Sequence, residues 1–366
     1  MTIPSSVLSS IGIAFWAAFL GAAILAWPIY RLLLLTKSRQ TVSEHAPTTH
    51  QAKQGTPTMG GLIMVGAFLV AAFALATKSS APISTATLFI FVGFAAIGFL
   101  DDFVVPRLIK GKRGLGWKQK FLLQLVIAGA GVWFHNGRLF DARWAVITFL
   151  VLFMANAYNF ADGLDALAGS LLLIFGTGVM LLATQGVIVQ EPLVIAAALI
   201  GAVIPFLFLN APPAKVFMGD VGSLPVGAVL GLAIASILSP RMDAFAPNAE
   251  GAGSILNWWQ SQLQIEGTHW RYEMIYPVAI LCLLMVIELV PVPIQIAWVK
   301  LFKRRLFPFT PVHHAFEKAG WPESRVVWTF ALSQLVLVAL AVLAFQIGPR
   351  SFVTDPRGVQ RVEARL

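Results

Sequence analysis

Charge is what this chain has least of. Asp, Glu, Lys and Arg make up 12% of its 366 residues, about half the ~25% of a soluble domain. The deficit runs the whole length, against 58% hydrophobic residues. That excludes an ordinary soluble fold and points to a chain that crosses a bilayer many times. Cysteine is nearly missing as well. Cys282, the only one, lies in an apolar run, which rules out a disulfide framework and a thiolate metal site. No internal repeat of fixed period is visible. The first apolar run, Ile11 to Leu35, is too long for a signal-peptide core and leads into no cleavage site, so it reads as a retained helix. Acids are the scarcer charge, 17 against 26 bases, for a net charge of +9. In such a chain the excess reads as basic cytoplasmic loops facing anionic lipid or substrates, not as nucleic-acid binding.

What the chain does have is apolar runs of membrane-crossing length, which is about 20 residues. Ten are predicted: 11–35, 60–77, 83–100, 119–135, 144–160, 168–186, 192–210, 223–240, 274–298 and 326–347. The expected fold is all-α, a single polytopic membrane domain over residues 1–366. It carries an outside insertion at about 241–273 and a tail at about 348–366. Trp258, Trp259 and Trp270 in the insertion suit an interfacial belt. If the loops 36–59, 101–118, 161–167, 211–222 and 299–325 share one side, they and their flanking residues Arg31 and Lys120 hold 17 of the 26 bases. That side is then cytoplasmic and both termini lie outside.

Five of the eight aspartates sit at the cytoplasmic helix ends. Asp101 and Asp102 are adjacent in "LDDF", where a helix is expected to end, and like charges near lipid are costly. Such a pair suits a divalent cation or a proton taken from a nucleophile. Bases follow: Arg107, Lys110, Lys112, Arg113, Lys118 and Lys120. In "NAYNFADGLDALAG", Asn156, Asn159, Asp162 and Asp165 recur every three residues, roughly along one helix face. The alternative is a hydrogen-bonded interhelical cluster. In "FMGDVGS", Asp220 between Gly219 and Gly222 offers oxygen to Mg²⁺, or else caps a helix. "KQGTPTMGG" leaves backbone N–H groups free at a helix entry, where an anion would fit, or Thr58 is simply the N-cap. His313 and His314 suit a metal, acid–base work or phosphate contact. No Cys or acid stands at transition-metal spacing, which excludes zinc. Acids for Mg²⁺, a basic rim and free amides at one membrane face together suit phosphoryl transfer to a lipid substrate.

The motifs "GTPTMGG", "LDDF", "NAYNFADGLDALAG", "FMGDVGSL" and "HHAFEKAGWPE", in this order over residues 11 to 347, resemble the bacterial phospho-N-acetylmuramoyl-pentapeptide transferases of the polyprenyl-phosphate N-acetylhexosamine-1-phosphate transferase superfamily. The resemblance implies an enzyme of the bacterial inner membrane with a cytoplasmic active site. It would move phospho-MurNAc-pentapeptide from UDP to undecaprenyl phosphate with Mg²⁺, giving lipid I and UMP for peptidoglycan, and so serve cell shape and division. It places the acid pair on Asp101 and Asp102 and the metal-binding aspartate on Asp220. The nucleotide-contacting helix end falls on Asn156, Asn159, Asp162 and Asp165, and the surroundings of the uracil pocket on Asn210 and Phe217. Substrate contacts fall on Lys53, Thr58, Lys118, Gln295 and His314, and the essential histidine on His313. Two positions depart from the pattern. Ala315 replaces a third histidine, and Val105 replaces a lysine whose role would pass to Arg107 or Lys110. Oligomeric state stays open, a homodimer included, as does direct attack against a covalent intermediate. The competing readings are a sister enzyme that transfers GlcNAc-1-phosphate to the same lipid, and an ion-coupled transporter.

Overall fold

A computed structural model describes residues 3–36, 55–78, 83–109, 111–112, 114–136, 140–186, 188–239, 271–348, 353–354 and 360–361. Lys53, Lys110 and nearly all of the 241–273 insertion lie outside these residues. Helices form where the apolar runs predict them: α1 (Ser5–Leu35), α2 (Gly61–Thr77), α3 (Thr85–Leu108), α4 (Trp117–His135), α5 (Ala142–Ala161), α6 (Leu167–Ala183), α7 (Gln190–Asn210), α8 (Asp220–Leu238), α9 (Tyr272–Phe302) and α11 (Glu323–Ile347). A short α10 (Val312–Lys318) precedes the last. The sole strand pairing among the described residues is a two-residue ladder, Val353–Thr354 with Gln360–Arg361. Seven helices, α1, α3, α5, α7, α8, α9 and α11, are long and apolar enough to cross a membrane, while α2 and α6 are shorter apolar helices. The chain is a multi-pass helical membrane protein.

Local chemistry sets several ends. Ser84 Oγ accepts from the Thr87 N–H at the start of α3, and Asp141 Oδ1 from the Trp144 N–H at the start of α5, each satisfying an orphan donor of the first turn. Thr58 caps nothing. The N-cap of α2 is Gly60, without a side-chain bond. One expectation fails at the acids. The third helix does not stop at Asp101 and Asp102. It runs on to Leu108 through a π-turn at Leu100–Val104. The loop expected at 161–167 does form: α5 ends at Ala161 and Ala166 takes a left-handed φ of 63°, so Asp162 and Asp165 lie past the helix that carries Asn156 and Asn159.

Almost every residue of α8 is buried, and α2, α3, α5 and α7 pack around it. Glycines let the backbones meet, as small residues do at membrane helix contacts. A Cβ on Gly231 would lie 2.8 Å from Val151 Cα of α5, and one on Gly227 would lie 2.7 Å from Ala155 Cα. At the other end Gly98 of α3 abuts the Asp220 backbone, and Gly61 of α2 abuts Gly222. The bundle's outside is apolar: Trp16, Ile24, Phe73, Phe149 and Trp328 are all exposed. The second half of α9, Pro291–Phe302, has no buried residue. This inversion of the soluble pattern is what a lipid solvent demands.

Gly231→Ala should therefore lower the unfolding temperature in detergent. Overpacking costs about 1–3 kcal/mol, more than the ~1 kcal/mol that alanine gains in a helix. Gly12→Ala, where no atom lies within 4 Å of the new Cβ, should leave the temperature level or raise it. Thermal unfolding of the two variants side by side checks the close crossing of α5 and α8.

Candidate active site

Three carboxylates meet where α3 and α8 touch. The π-turn puts Asp101 and Asp102 on the bundle side of α3, and a mid-helix π-turn often marks a functional site. Asp220 opens α8, after Gly219 at φ 72°. One oxygen from each of Asp101, Asp102 and Asp220 lies within 4.8 Å of the others. At that separation each ionised pair repels by about 3 kcal/mol at an effective dielectric of ~20, so the cluster needs compensation.

Part of that compensation is local. Asp101 Oδ1 accepts from the Leu115 N–H at 2.6 Å, and Asp102 Oδ2 from the Val221 N–H at 3.2 Å. Asn159 Nδ2 donates to Asp220 Oδ1 at 2.7 Å and to Ser223 Oγ at 2.8 Å. The cation is Lys120, whose Nζ lies 3.2 Å from Asp101 Oδ2 and also pairs with Asp220 Oδ2. Among the described residues, three carboxylates face one ammonium, which leaves a surplus of negative charge. Hard oxygen donors at this spacing fit Mg²⁺. Asp162, just past α5, adds to the cluster. Burial, then the charges of Asp220 and Asp102, hold its carboxyl well above the ordinary range, while the Gly219 N–H pulls it down.

Two loops shape the near side of the cluster. The Phe217 N–H donates to Pro57 O, and the Gly60 and Gly61 N–H groups donate to Phe217 O and Met218 O. This joins "GTPTMGG" to "FMGD". A Cβ on Gly219 would sit 2.6 Å from Asp102 Oδ2 and 2.8 Å from Thr58 Oγ1, so glycine is required there twice over, by conformation and by space. Thr58 thus lies beside the acids.

The other expected residues among those described stand as follows. Asp165 is buried. Its Oδ2 accepts from the Ala214 N–H, and its own N–H donates to Glu323 Oε1. Asn210 Oδ1 accepts from the Ala166 N–H, while Nδ2 donates to Val216 O. Asp165 and Asn210 together fasten the α5–α6 turn to the α7–α8 loop. Gln295 uses its whole amide on the backbone of Leu306 and Phe307. Lys118 is exposed, with Nζ 5.7 Å from the Trp117 ring centroid. Asn156 faces Gln124. His313 is fully buried on α10, with Nδ1 2.8 Å from Glu288 Oε2 and its N–H on Glu288 Oε1. Its Nε2 has no hydrogen bond and faces Gly163, next to Asp162. His314 Nδ1 lies 2.7 Å from Glu317 Oε2.

Arg107, one of the two bases expected to stand in for the lysine absent at Val105, donates to Thr36 O and stands 3.8 Å over the Phe103 ring, and Lys110, the other, lies outside the described residues. The base that meets the acids among the described residues is Lys120, counted in the sequence as one more base of a positive loop. A signal existed: Lys120 shares the inward register of α4 with Gln124, Ala128 and Val132, all buried. Glu288, also missed, is a lone acid inside the apolar run 274–298, a position that carries a functional or structural reason by default.

Residues 84–238, which hold all three acids, Lys120 and Asn159, match glycosyl transferase family 4. Over its length the chain is similar to proteins named phospho-N-acetylmuramoyl-pentapeptide-transferase. That of Clostridioides difficile (strain 630) is 33% identical over 346 residues, covering 89% of this chain and 95% of the relative. That of Heliobacterium modesticaldum (strain ATCC 51547 / Ice1) is 35% identical over 350 residues, covering 89% and 95%. The Bacillus subtilis (strain 168) protein is 32% identical over 344 residues, covering 88% and 94%.

The buried His313–Glu288 contact yields a stability test. Glu288→Ala strips the partner from the buried His313 backbone N–H and ring Nδ1 and should cost about 1–3 kcal/mol for each unmade bond. His314→Ala, at a part-exposed site, should cost less. Thermal unfolding in detergent ranks the two.

Proposed function

The chain belongs to the phospho-N-acetylmuramoyl-pentapeptide-transferase family, and from that premise we propose that it joins phospho-MurNAc-pentapeptide, donated by UDP-MurNAc-pentapeptide, to undecaprenyl phosphate. A phosphate oxygen of the lipid bonds to the sugar-linked phosphorus of the donor. The pyrophosphate P–O bond breaks, and UMP leaves with that bond's electron pair. The products are lipid I and UMP. The observation that carries this reading is the convergence of Asp101, Asp102 and Asp220 on Lys120 and Asn159 at one end of an apolar bundle, within the segment matched to glycosyl transferase family 4.

Each side chain has a task in this reading. Asp102 uses one oxygen on the Val221 N–H, and its other is positioned to take a proton from the lipid phosphate. Asp101, Asp102 and Asp220 supply the oxygen donors that would hold Mg²⁺, with Asp220 as the principal ligand. When bound, Mg²⁺ neutralises pyrophosphate charge that would otherwise repel the incoming phosphate. Lys120 offers an ammonium to the charge that builds on the transferring phosphoryl group. Asn159 keeps Asp220 oriented.

The same reading has all ten apolar helices crossing the bacterial inner membrane, with the acids on the cytoplasmic side and both termini outside. The ends of α3, α5 and α7 and the starts of α4, α8 and α11 come together, as alternating crossings require. The uneven Lys and Arg distribution supports the direction. Asp101, Asp102 and Asp220, gathered at one end of the bundle and not at helix midpoints, disfavour an ion-coupled transporter.

Purified protein should release UMP from UDP-MurNAc-pentapeptide in the presence of undecaprenyl phosphate and Mg²⁺, and should not consume UDP-GlcNAc. Asp220→Asn should lower turnover about 10²-fold or more, the scale of one charge-stabilising group, with the unfolding temperature little changed. UMP release from UDP-GlcNAc at a comparable rate would favour the sister enzyme instead.

A further inference from the structure

One turn away from the Lys120–Asp220–Asn159 contact, α4 and α5 meet a second time. Gln124 follows Lys120 by one turn of α4, and Asn156 precedes Asn159 by nearly one turn of α5. Asn156 Nδ2 donates to the Leu152 carbonyl at 2.8 Å and to Gln124 Oε1 at 2.9 Å. The bond to a carbonyl identifies the Asn156 atom as nitrogen, so the Gln124 atom that faces it is oxygen. Gln124 Nε2 is thereby turned away. It is buried with no hydrogen-bond partner, in a side chain 1% exposed.

That is an expensive arrangement. A buried donor left unmade costs about 1–3 kcal/mol, and an apolar side chain of the same length would fill the place without that cost. Stability does not account for a glutamine here. Geometry does. The outward face of α4 is bare to lipid at Trp117, Phe121, Leu122 and Val126, and its inward face is small at Ala128, Gly129 and Gly131. Close packing on α3, with Ile90 against Gly131 and Ile127 against Gly93, holds that side of the helix. Towards α5 the directional bonds are Trp144 Nε1 to Gly129 O at 2.9 Å near the far end, and Asn156 to Gln124 beside the acids.

We propose that Gln124 is a positioning residue for Lys120. Its bond with Asn156 fixes the rotation and register of α4 against α5, and so keeps the Lys120 ammonium between Asp101 and Asp220 while Asn159 holds Asp220 from the other side. Asn156, on the same account, acts through Gln124 and not by touching the nucleotide. This assignment rests on the transferase reading above.

The test is Gln124→Met in the full-length enzyme, assayed with UDP-MurNAc-pentapeptide and undecaprenyl phosphate. A misplacement of about 1 Å costs ~10² in rate. A loosened helix should cost less, so kcat is expected to fall about 10-fold. Donor KM should stay within about twofold, since uniform binding is untouched. The unfolding temperature should hold or rise, because the unmade donor is gone. Asn156→Leu cuts the same bond from the other side and should reproduce the kcat loss with the same unchanged KM. The double variant should fall no further than either single one, as expected for two residues acting through one contact. Unchanged kcat in a folded Gln124→Met enzyme would overturn the proposal. So would a drop in unfolding temperature with kcat intact, a loss carried by donor KM, or losses that multiply in the double variant. A wild-type enzyme that releases no UMP would remove the transferase reading itself, and this assignment with it.

Discussion

The Lys120 ammonium, held between Asp101 and Asp220, is the contact on which the rest of the site depends. Three carboxylates within 4.8 Å of one another at the end of an apolar bundle are unstable as a group, since mutual repulsion adds to the cost of leaving water. One cation cannot neutralise three acids, but it ties together the two that come from different helices. Backbone N–H groups of Leu115 and Val221 and the amide of Asn159 then steady the oxygens. Among the described residues, what is left is an acid cluster with its own lysine, whose oxygens fit Mg²⁺.

The architecture serves this contact by close approach. Gly98 lets α3 lie on the first residues of α8, and Gly61 with Gly222 brings in α2 and the loop that carries Thr58. The left-handed Gly219 turns the chain so that Asp220 enters beside Asp102. Behind this layer, Asp165, Asn210 and Glu323 bind loop to loop, and Glu288 fixes His313 under the α5–α6 turn. Much of what the motifs contain is therefore frame for the reacting groups. The lipid-facing surface is the reverse of a soluble protein's, and the bundle's inside is knit by small residues and a few polar bonds.

Hydropathy was enough to place a helix at each of the ten apolar runs, seven of them long and apolar enough to cross a membrane, since a run of apolar residues near 20 long has few other uses. The acids were legible for the same reason: Asp101, Asp102 and Asp220 are costly where they stand. The π-turn was not, because no local pattern announces it. Lys120 was hidden by its neighbours. Among five other bases it looked like loop charge, and only its register with Gln124 sets it apart. His313 and Gln295 show a different limit. Residue type says that an imidazole or an amide can bond, but the partners they take here, Glu288 for His313 and the Leu306 and Phe307 backbone for Gln295, are tertiary facts that no local pattern carries. The break after Ala161, by contrast, falls where the end of the apolar run at 160 puts it.

The measurement that bears most directly on this account is turnover of Lys120→Met, with thermal unfolding and Mn²⁺ binding followed on the same preparation. If the ammonium both balances the acids and meets phosphoryl charge, kcat should fall about 10²-fold or more. The fold should persist, and Mn²⁺ should bind at least as tightly, since the competing cation is gone. Near-normal turnover in a folded Lys120→Met enzyme would contradict it.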